Sequence, residues 1–205
     1  MQKFLFDLDG TLTKVETLPI IAREFGIDSE IETLTRQTIE GQISFAESFS
    51  RRVELLKKIP VSEVANLLEK IPIHEKLVRF IQENSDRCSI VTGNLDVWIE
   101  KLCERIGCEF FSSIARVSKD QIVEIEEILR KDSIVKNFQS QKKFVIYIGD
   151  GANDFDAMKS ADISIASGIL HRPAECLKSA ADFFVETEDE LLNILRMKKI
   201  PRDRD

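Results

Sequence analysis

Glycine and proline are scarce in this chain of 205 residues, eight and five respectively, so neither a collagen-like repeat nor a Gly/Pro-rich disordered tract is present. Histidine is scarcer, with only His74 and His171. The four cysteines, Cys88, Cys103, Cys108 and Cys176, contain no C-x-x-C pair and have no histidine nearby to complete a zinc set. They read as reduced thiols of a cytoplasmic protein. No uncharged apolar run approaches the roughly 18 residues of a membrane span. The N-terminus meets Asp7 after three apolar residues, which argues against a secretory signal. Positive charge is in deficit too: 29 Lys and Arg against 36 Asp and Glu leave a net charge of -7. An acidic chain repels phosphate backbones and anionic lipid, so neither nucleic acid nor membrane is an expected partner.

What is present is the composition of a folded protein, 43% hydrophobic and 32% charged. At roughly 150 residues per domain the length corresponds to about 1.4 domains, either one large unit or one carrying an insertion. Short apolar runs too brief for helices recur at Lys3-Phe4-Leu5-Phe6-Asp7 and at 88–92, 144–148, 163–166 and 183–185. Segments of helical period separate them. Leu95, Trp98, Ile99, Leu102 and Ile106 mark one such helix, with Gly107 as its C-terminal cap. Thr187 and Glu190 form a capping box ahead of Leu191, Leu192 and Leu195. Alternating stretches around Ser118-Lys119-Asp120-Gln121 predict a β-hairpin over 114–127, appended to the core. The charged residues 198–205 are expected to fray. Strands alternating with helices predict an α/β fold, a doubly wound parallel sheet. The stretch 15–83 breaks the alternation, because a βαβ crossover needs one helix and this stretch carries several helical patterns. It reads as an inserted helical bundle.

The strongest chemical signal is Asp7-Leu8-Asp9-Gly10-Thr11 at the end of the first strand. Alternation along a strand projects Asp7 and Asp9 to the same side, where open α/β sheets hold their ligands. Two carboxylates that close repel by about 4 kcal/mol at an effective dielectric of 20, so they call for a cation or a shared proton. By average residue usage this pattern arises by chance in about one chain in several hundred. Gly149-Asp150-Gly151-Ala152-Asn153-Asp154 follows the run 144–148 directly, and Thr92-Gly93-Asn94 ends the run 88–92. Lys131 opens a helical segment carrying Ile134, Val135 and Phe138. In the stretch 15–83, Ser44 and Glu47 form a capping box, after which Phe45, Phe49, Arg52 and Leu56 share one helical stripe. A guanidinium on an apolar stripe either snorkels past its neighbours or meets an anion.

In these four motifs, which run along the chain as 7–11, 92–94, Lys131 and 149–154, the chain resembles the haloacid dehalogenase superfamily of aspartate-dependent phosphatases, and within it the phosphoserine phosphatases. The resemblance implies a HAD-like core over 1–14 and 73–205 and a helical cap over 15–72. It implies Asp7 as nucleophile, Asp9 as acid/base, and Lys131 with Thr92 as the clamp on the phosphoryl group. Gly10, Thr11, Gly93 and Asn153 are expected to line the phosphate. Glu16 and Arg52 are expected to receive the amino and carboxylate groups of a phosphoserine-like substrate. Asp7, Asp150, Asp154 and the backbone carbonyl of Asp9 are the expected metal set. Oxygen ligands beside a phosphate favour Mg²⁺. The chain departs from many phosphoserine phosphatases at Gly10 and Thr92, each Ser there, and at Asn94, a second Gly there. Asn94 adds a side chain to the substrate space. His74 and His171 match no catalytic position and read as surface or loop residues. Two other functions fit the same motifs: a phosphatase or phosphotransferase for another small phosphorylated metabolite, and a non-catalytic phosphometabolite-binding protein.

Overall fold

The computed structural model describes residues 1–39, 42–197 and 200. Phe4, Leu5 and Phe6 lie on β1 (Gln2–Phe6) and are completely buried, because helices cover both faces of the sheet they enter. Phe4 and Phe6 point into one apolar layer and Leu5 into the other, as the two-residue period of a strand demands. The remaining strands are β2 (Cys88–Leu95), β3 (Glu109–Ser118), β4 (Gln121–Glu127), β5 (Phe144–Gly149), β6 (Ile163–Ser167) and β7 (Phe183–Val185). They form one sheet in the order β4-β3-β2-β1-β5-β6-β7, parallel throughout except between β3 and β4. The fold is α/β, doubly wound. After β1 the chain turns to one side and after β5 to the other, which opens a crevice at the carboxyl ends of these two neighbours.

The helices are α1 (Thr17–Phe25), α2 (Asp28–Ile39), α3 (Phe45–Leu56), α4 (Val61–Leu68), α5 (Glu75–Glu83), α6 (Asp96–Ile106), α7 (Lys131–Ser140), α8 (Phe155–Ser160) and α9 (Glu188–Leu195). Among the described residues no helix is long and apolar enough to cross a membrane. Four of them, α1 to α4, lie between β1 and the return to the sheet. The segments that lead out and back run side by side: Thr13 bridges Ile73, Lys14 N–H donates to the Pro72 carbonyl at 2.9 Å, and His74 N–H donates to Leu12 at 2.9 Å. Gly107 caps α6 with φ 89°, and the Thr187 hydroxyl accepts from Glu190 N–H at the start of α9. Ser44 likewise accepts from Glu47 N–H, but the Glu47 carboxylate turns away to pair with Arg51 at 2.7 Å, so half the expected capping box forms.

Four expectations need correcting. The hairpin exists, with Lys119 and Asp120 both in the left-handed region that a two-residue turn requires, yet it is not an appendage. β3 begins at Glu109 and its first half pairs parallel with β2, so the hairpin continues the main sheet. The mixed run Glu109-Phe110-Phe111 hides this, since it neither alternates cleanly nor stays apolar. β2 runs past Thr92 to Leu95 through an irregularity between Val91 and Leu95. α2 carries too weak an apolar pattern to be read from the sequence: DSEIETLTRQTI is mostly polar, and among its described side chains Ile31 and Leu34 are the buried long apolar ones. His74 is buried rather than superficial, at the N-cap position of α5 beside Glu188. Burial holds its imidazole below the usual histidine range. The residues expected to fray lie outside those described, Ile200 excepted, and Ile200 is buried.

Ser113 ties the irregular end of β2 to the rest of the sheet. Its hydroxyl donates to the Gly93 carbonyl at 2.8 Å and accepts from Leu129 N–H at 3.1 Å. Ser113→Ala removes both partners at once, and each orphaned buried group costs about 1–3 kcal/mol. The expected result is a lower urea midpoint at unchanged slope. A midpoint equal to the parent's would show that the bend in β2 holds without this hydroxyl.

Candidate active site

Strand ends, rather than a single loop, assemble the site. Asp7 follows β1 and Asp150 follows β5, so the crevice between these strands brings both carboxylates together. Asp7, Asp150 and Asp154 are all buried, and one oxygen from each lies within 4.8 Å of the others. Lys131, the first residue of α7, is equally buried and reaches two of them, Asp7 Oδ1 at 2.8 Å and Asp154 Oδ1 at 2.7 Å. Burial works against the lysine's charge, but Asp154 and Asp7 outweigh it and hold Lys131 above the ordinary lysine range. One ammonium cannot neutralise three carboxylates. Burial, then Asp154, push the Asp7 carboxyl well up despite Lys131, and burial with Asp154 and Glu16 push Asp150 up to about 8.

The backbone is packed tightly against these carboxylates. Gly10 has φ 69°, and a Cβ there would lie 2.5 Å from Asp150 Oδ2. A Cβ on Gly149 would lie 2.5 Å from the Asp154 carboxyl carbon. Asp154, in the short 3-10 turn Ala152–Asp154, engages both of its oxygens with protein donors. Oδ1 accepts from Lys131 and, at 2.6 Å, from the Tyr147 hydroxyl; Oδ2 accepts from the N–H groups of Asp150 and Gly151. The Thr11 hydroxyl donates to Asp150 Oδ1 at 3.0 Å, so it orients a carboxylate and does not line the cavity.

Asp7, Asp9, Glu16, Arg52, Thr92, Gly93, Asn94, Asp150 and Asn153 all line one cavity of about 360 Å³. Lys131, Thr11, Gly10 and Asp154 stand behind its wall. Asp9 Oδ1 accepts from Thr17 N–H at 2.9 Å, and burial together with Glu16 raises its carboxyl to about 6. Arg52 enters from α3 beside Phe49. Its Nε is buried without a hydrogen-bond partner, and burial lowers its guanidinium from the usual value. A more apolar cleft of about 390 Å³ lies between α1 and α2, where Asp28 and Glu32 share the lining with Arg23 and Arg36.

The model of the haloacid dehalogenase-like hydrolases matches residues 4–159. The chain belongs to this family of hydrolases. It is 31% identical to the phosphoserine phosphatase of Methanocaldococcus jannaschii over 95% of this chain and 96% of that protein. It is 29% identical to the 2-hydroxy-3-keto-5-methylthiopentenyl-1-phosphate phosphatase of Lysinibacillus sphaericus, over 92% of each. Among solved structures it superposes on a substrate-bound phosphoserine phosphatase complex with TM-score 0.79 at 28% identity, covering 94% of this chain and 98% of that one. A phospho-aspartyl intermediate analogue of phosphoserine phosphatase gives TM-score 0.78 at 27% identity, covering 94% and 99%. This hydrolase is a phosphatase of the phosphoserine phosphatase-like kind.

Two residues of the hydrolase site escaped the sequence reading. His171, in the loop after β6, is exposed as expected, yet its Nε2 lies 2.8 Å from Glu16 Oε1 and 3.3 Å from Asp150 Oδ2. The bond to Glu16 raises its imidazole to about 9. No motif surrounds it, so nothing in the local sequence marks it. Tyr147 sits inside an apolar strand run and reads as core, although its hydroxyl serves Asp154.

The excess of buried carboxylates sets a pH dependence. In the folded, metal-free hydrolase, Asp7, Asp9 and Asp150 keep protons that the unfolded chain releases near the ordinary value of about 3.9. The unfolded state therefore binds fewer protons, and stability falls as pH rises from about 4 towards 8. His171 acts in the same direction above about 6.5, because its raised value means that stability is lost as it deprotonates. Thermal unfolding in chelator should show Tm falling across this window, with added Mg²⁺ raising Tm more at pH 8 than at pH 5. A Tm that rises with pH in chelator would contradict this charge assignment.

Proposed function

We propose that this hydrolase cleaves L-phosphoserine to serine and phosphate through an aspartyl-phosphate on Asp7, with Mg²⁺ bound beside it. One observation carries the reading: a single small cavity is lined both by Asp7, Asp9 and Asp150 and by Glu16 and Arg52, whose Nε is buried without a hydrogen-bond partner. Its volume is at the low end of the roughly 300–1,000 Å³ of ligand cavities, which suits a phosphorylated amino acid. Three buried carboxylates facing one lysine fit a hard divalent cation, since all the donors are oxygens. Asp7, Asp150 and the Asp9 carbonyl would hold Mg²⁺, which when bound offsets the charge of carboxylates and phosphate together. Asp154, engaged by four protein donors, orients Lys131.

Asp7 Oδ1 accepts from Lys131 and from Leu8 N–H at 2.8 Å each, which leaves Oδ2 to attack phosphorus. Asp9, with its carboxyl near 6, gives a proton to the leaving oxygen and takes one from the water that opens the intermediate. Lys131, the Thr92 hydroxyl and the Gly93 N–H bind the phosphoryl oxygens, and Asn153 contacts the same group. Arg52 pairs with the substrate carboxylate and Glu16 with its ammonium. Residues 15–72 act as a cap that closes over the substrate and excludes water. Four free cysteines, two of them fully buried, suit a reducing cytoplasm.

One observation favours a second reading, a phosphatase for another small metabolite. His171 already occupies Glu16, the group meant for the ammonium, and a relative of similar identity carries a different substrate in its name.

Phosphate release from a panel containing L-phosphoserine, with Mg²⁺ or chelator, separates the two readings. Phosphoserine should lead the panel, and activity should vanish with chelator and in Asp7→Asn. Much faster cleavage of a phosphomonoester lacking the amino group would select the second reading. Arg52→Ala should raise KM for carboxylate-bearing substrates by about tenfold or more, the worth of one charged hydrogen bond. KM for 4-nitrophenyl phosphate should barely move; an equal rise for both substrates would mean that Arg52 only packs.

A further inference from the structure

Asn94 has a definite set of partners. The side chain is 5% exposed, and its Oδ1 accepts from Leu95 N–H at 3.0 Å. That bond fixes the amide's orientation, since a flipped amide would oppose two N–H donors. Nδ2 therefore faces the other way, where it donates to Thr17 Oγ1 at 2.7 Å and to Asp9 Oδ2 at 3.3 Å. Both amide hydrogens are used. The Asp9 carboxylate is thus gripped at both oxygens, by the Thr17 N–H on Oδ1 and by Asn94 on Oδ2.

We infer that Asn94 is a positioning residue for proton transfer by Asp9, locking the carboxyl plane in line with the leaving oxygen. This rests on the acid/base reading of Asp9 given above. A carboxyl group turns easily about its last torsion, whose energy profile is broad and nearly two-fold. Held by Thr17 alone, Asp9 could swing its second oxygen away from the substrate. Each carboxylate oxygen has two acceptor sites, so the Asn94 bond leaves Oδ2 a site for the proton. In the first step Asp7 forms an oxygen–phosphorus bond while the bond from phosphorus to the leaving oxygen breaks, and that oxygen takes the Asp9 proton. In the second step a water oxygen bonds to phosphorus, one of its protons returns to Asp9, and the bond from Asp7 to phosphorus breaks. Both transfers need the same carboxyl orientation.

The test varies how much the leaving group needs a proton. With aryl phosphates from 4-nitrophenyl to phenyl, kcat/KM reports formation of the phosphoenzyme. Nitrophenolate departs unprotonated, whereas phenolate gains from a proton donor. Asn94→Ala should lower kcat/KM for phenyl phosphate by about tenfold, a fraction of the 10²–10⁴ a general acid supplies, and that for 4-nitrophenyl phosphate by less than about twofold. Thr17→Val, which removes the hydroxyl that anchors the amide and also meets Asp9, should show the same discrimination. Asp9→Asn is the reference and should discriminate most. If Asp9→Asn discriminates and Asn94→Ala lowers both substrates equally, Asn94 is structural and the inference fails while the acid/base reading stands. If Asp9→Asn shows no discrimination, the acid/base reading falls and the inference with it.

Discussion

Three buried carboxylates sharing one lysine is the constraint on which the rest of the site depends. Removing a charge from water is costly unless a partner compensates, and among the described residues Asp7, Asp150 and Asp154 share Lys131 as their buried cation, with the exposed His171 beside Asp150. The fold answers with donors. Tyr147 and two backbone N–H groups serve Asp154, Thr11 serves Asp150, and Leu8 N–H serves Asp7. The remaining imbalance is local and negative, so the site calls for a further cation before it can hold an anion. Such an arrangement stores a demand for cations in a site whose backbone, at Gly10 and Gly149, leaves no room to relax.

How far this was legible in the sequence follows from the range of each signal. The core strands and the α6 and α9 caps are local patterns of apolar period and terminal residues, and they are where the sequence placed them. The carboxylate motifs were legible because strand-end chemistry is compact: five or six adjacent residues carry it. The pairing of β3 with β2 was not, since parallel partners twenty residues apart leave no local mark. The polar α2, which packs against α1 and α3, was hidden because Ile31 and Leu34 set up no broad apolar stripe. His171 and Tyr147 were missed for a further reason. Their roles exist only through residues 155 and 7 positions away, and one lies in an irregular loop while the other looks like any core aromatic.

Asp9 is where the two halves of the molecule meet. Its carboxylate is held from one side by the first N–H of α1 and from the other by the end of β2. The hairpin turn adds a second tie at a distance: the Asp120 carbonyl accepts from Val61 N–H, and the Asp120 carboxylate accepts from Ser62 at the start of α4. The helical segment and the sheet are therefore in mechanical contact, so a change on the helical side reaches the Asp9 carboxylate through a single hydrogen bond.

The side-by-side exit and return at Thr13 and Ile73 have an evolutionary consequence. A segment whose ends already touch can be lengthened, shortened or exchanged at little cost, since closing a longer loop between fixed ends grows only logarithmically with its length. Neither the register of β1 against β5 nor the placement of Asp7 is disturbed by what is spliced between those two points. The same sheet can thus be refitted with a different helical segment, and the contact that Thr17 makes with Asp9 is what each replacement has to rebuild.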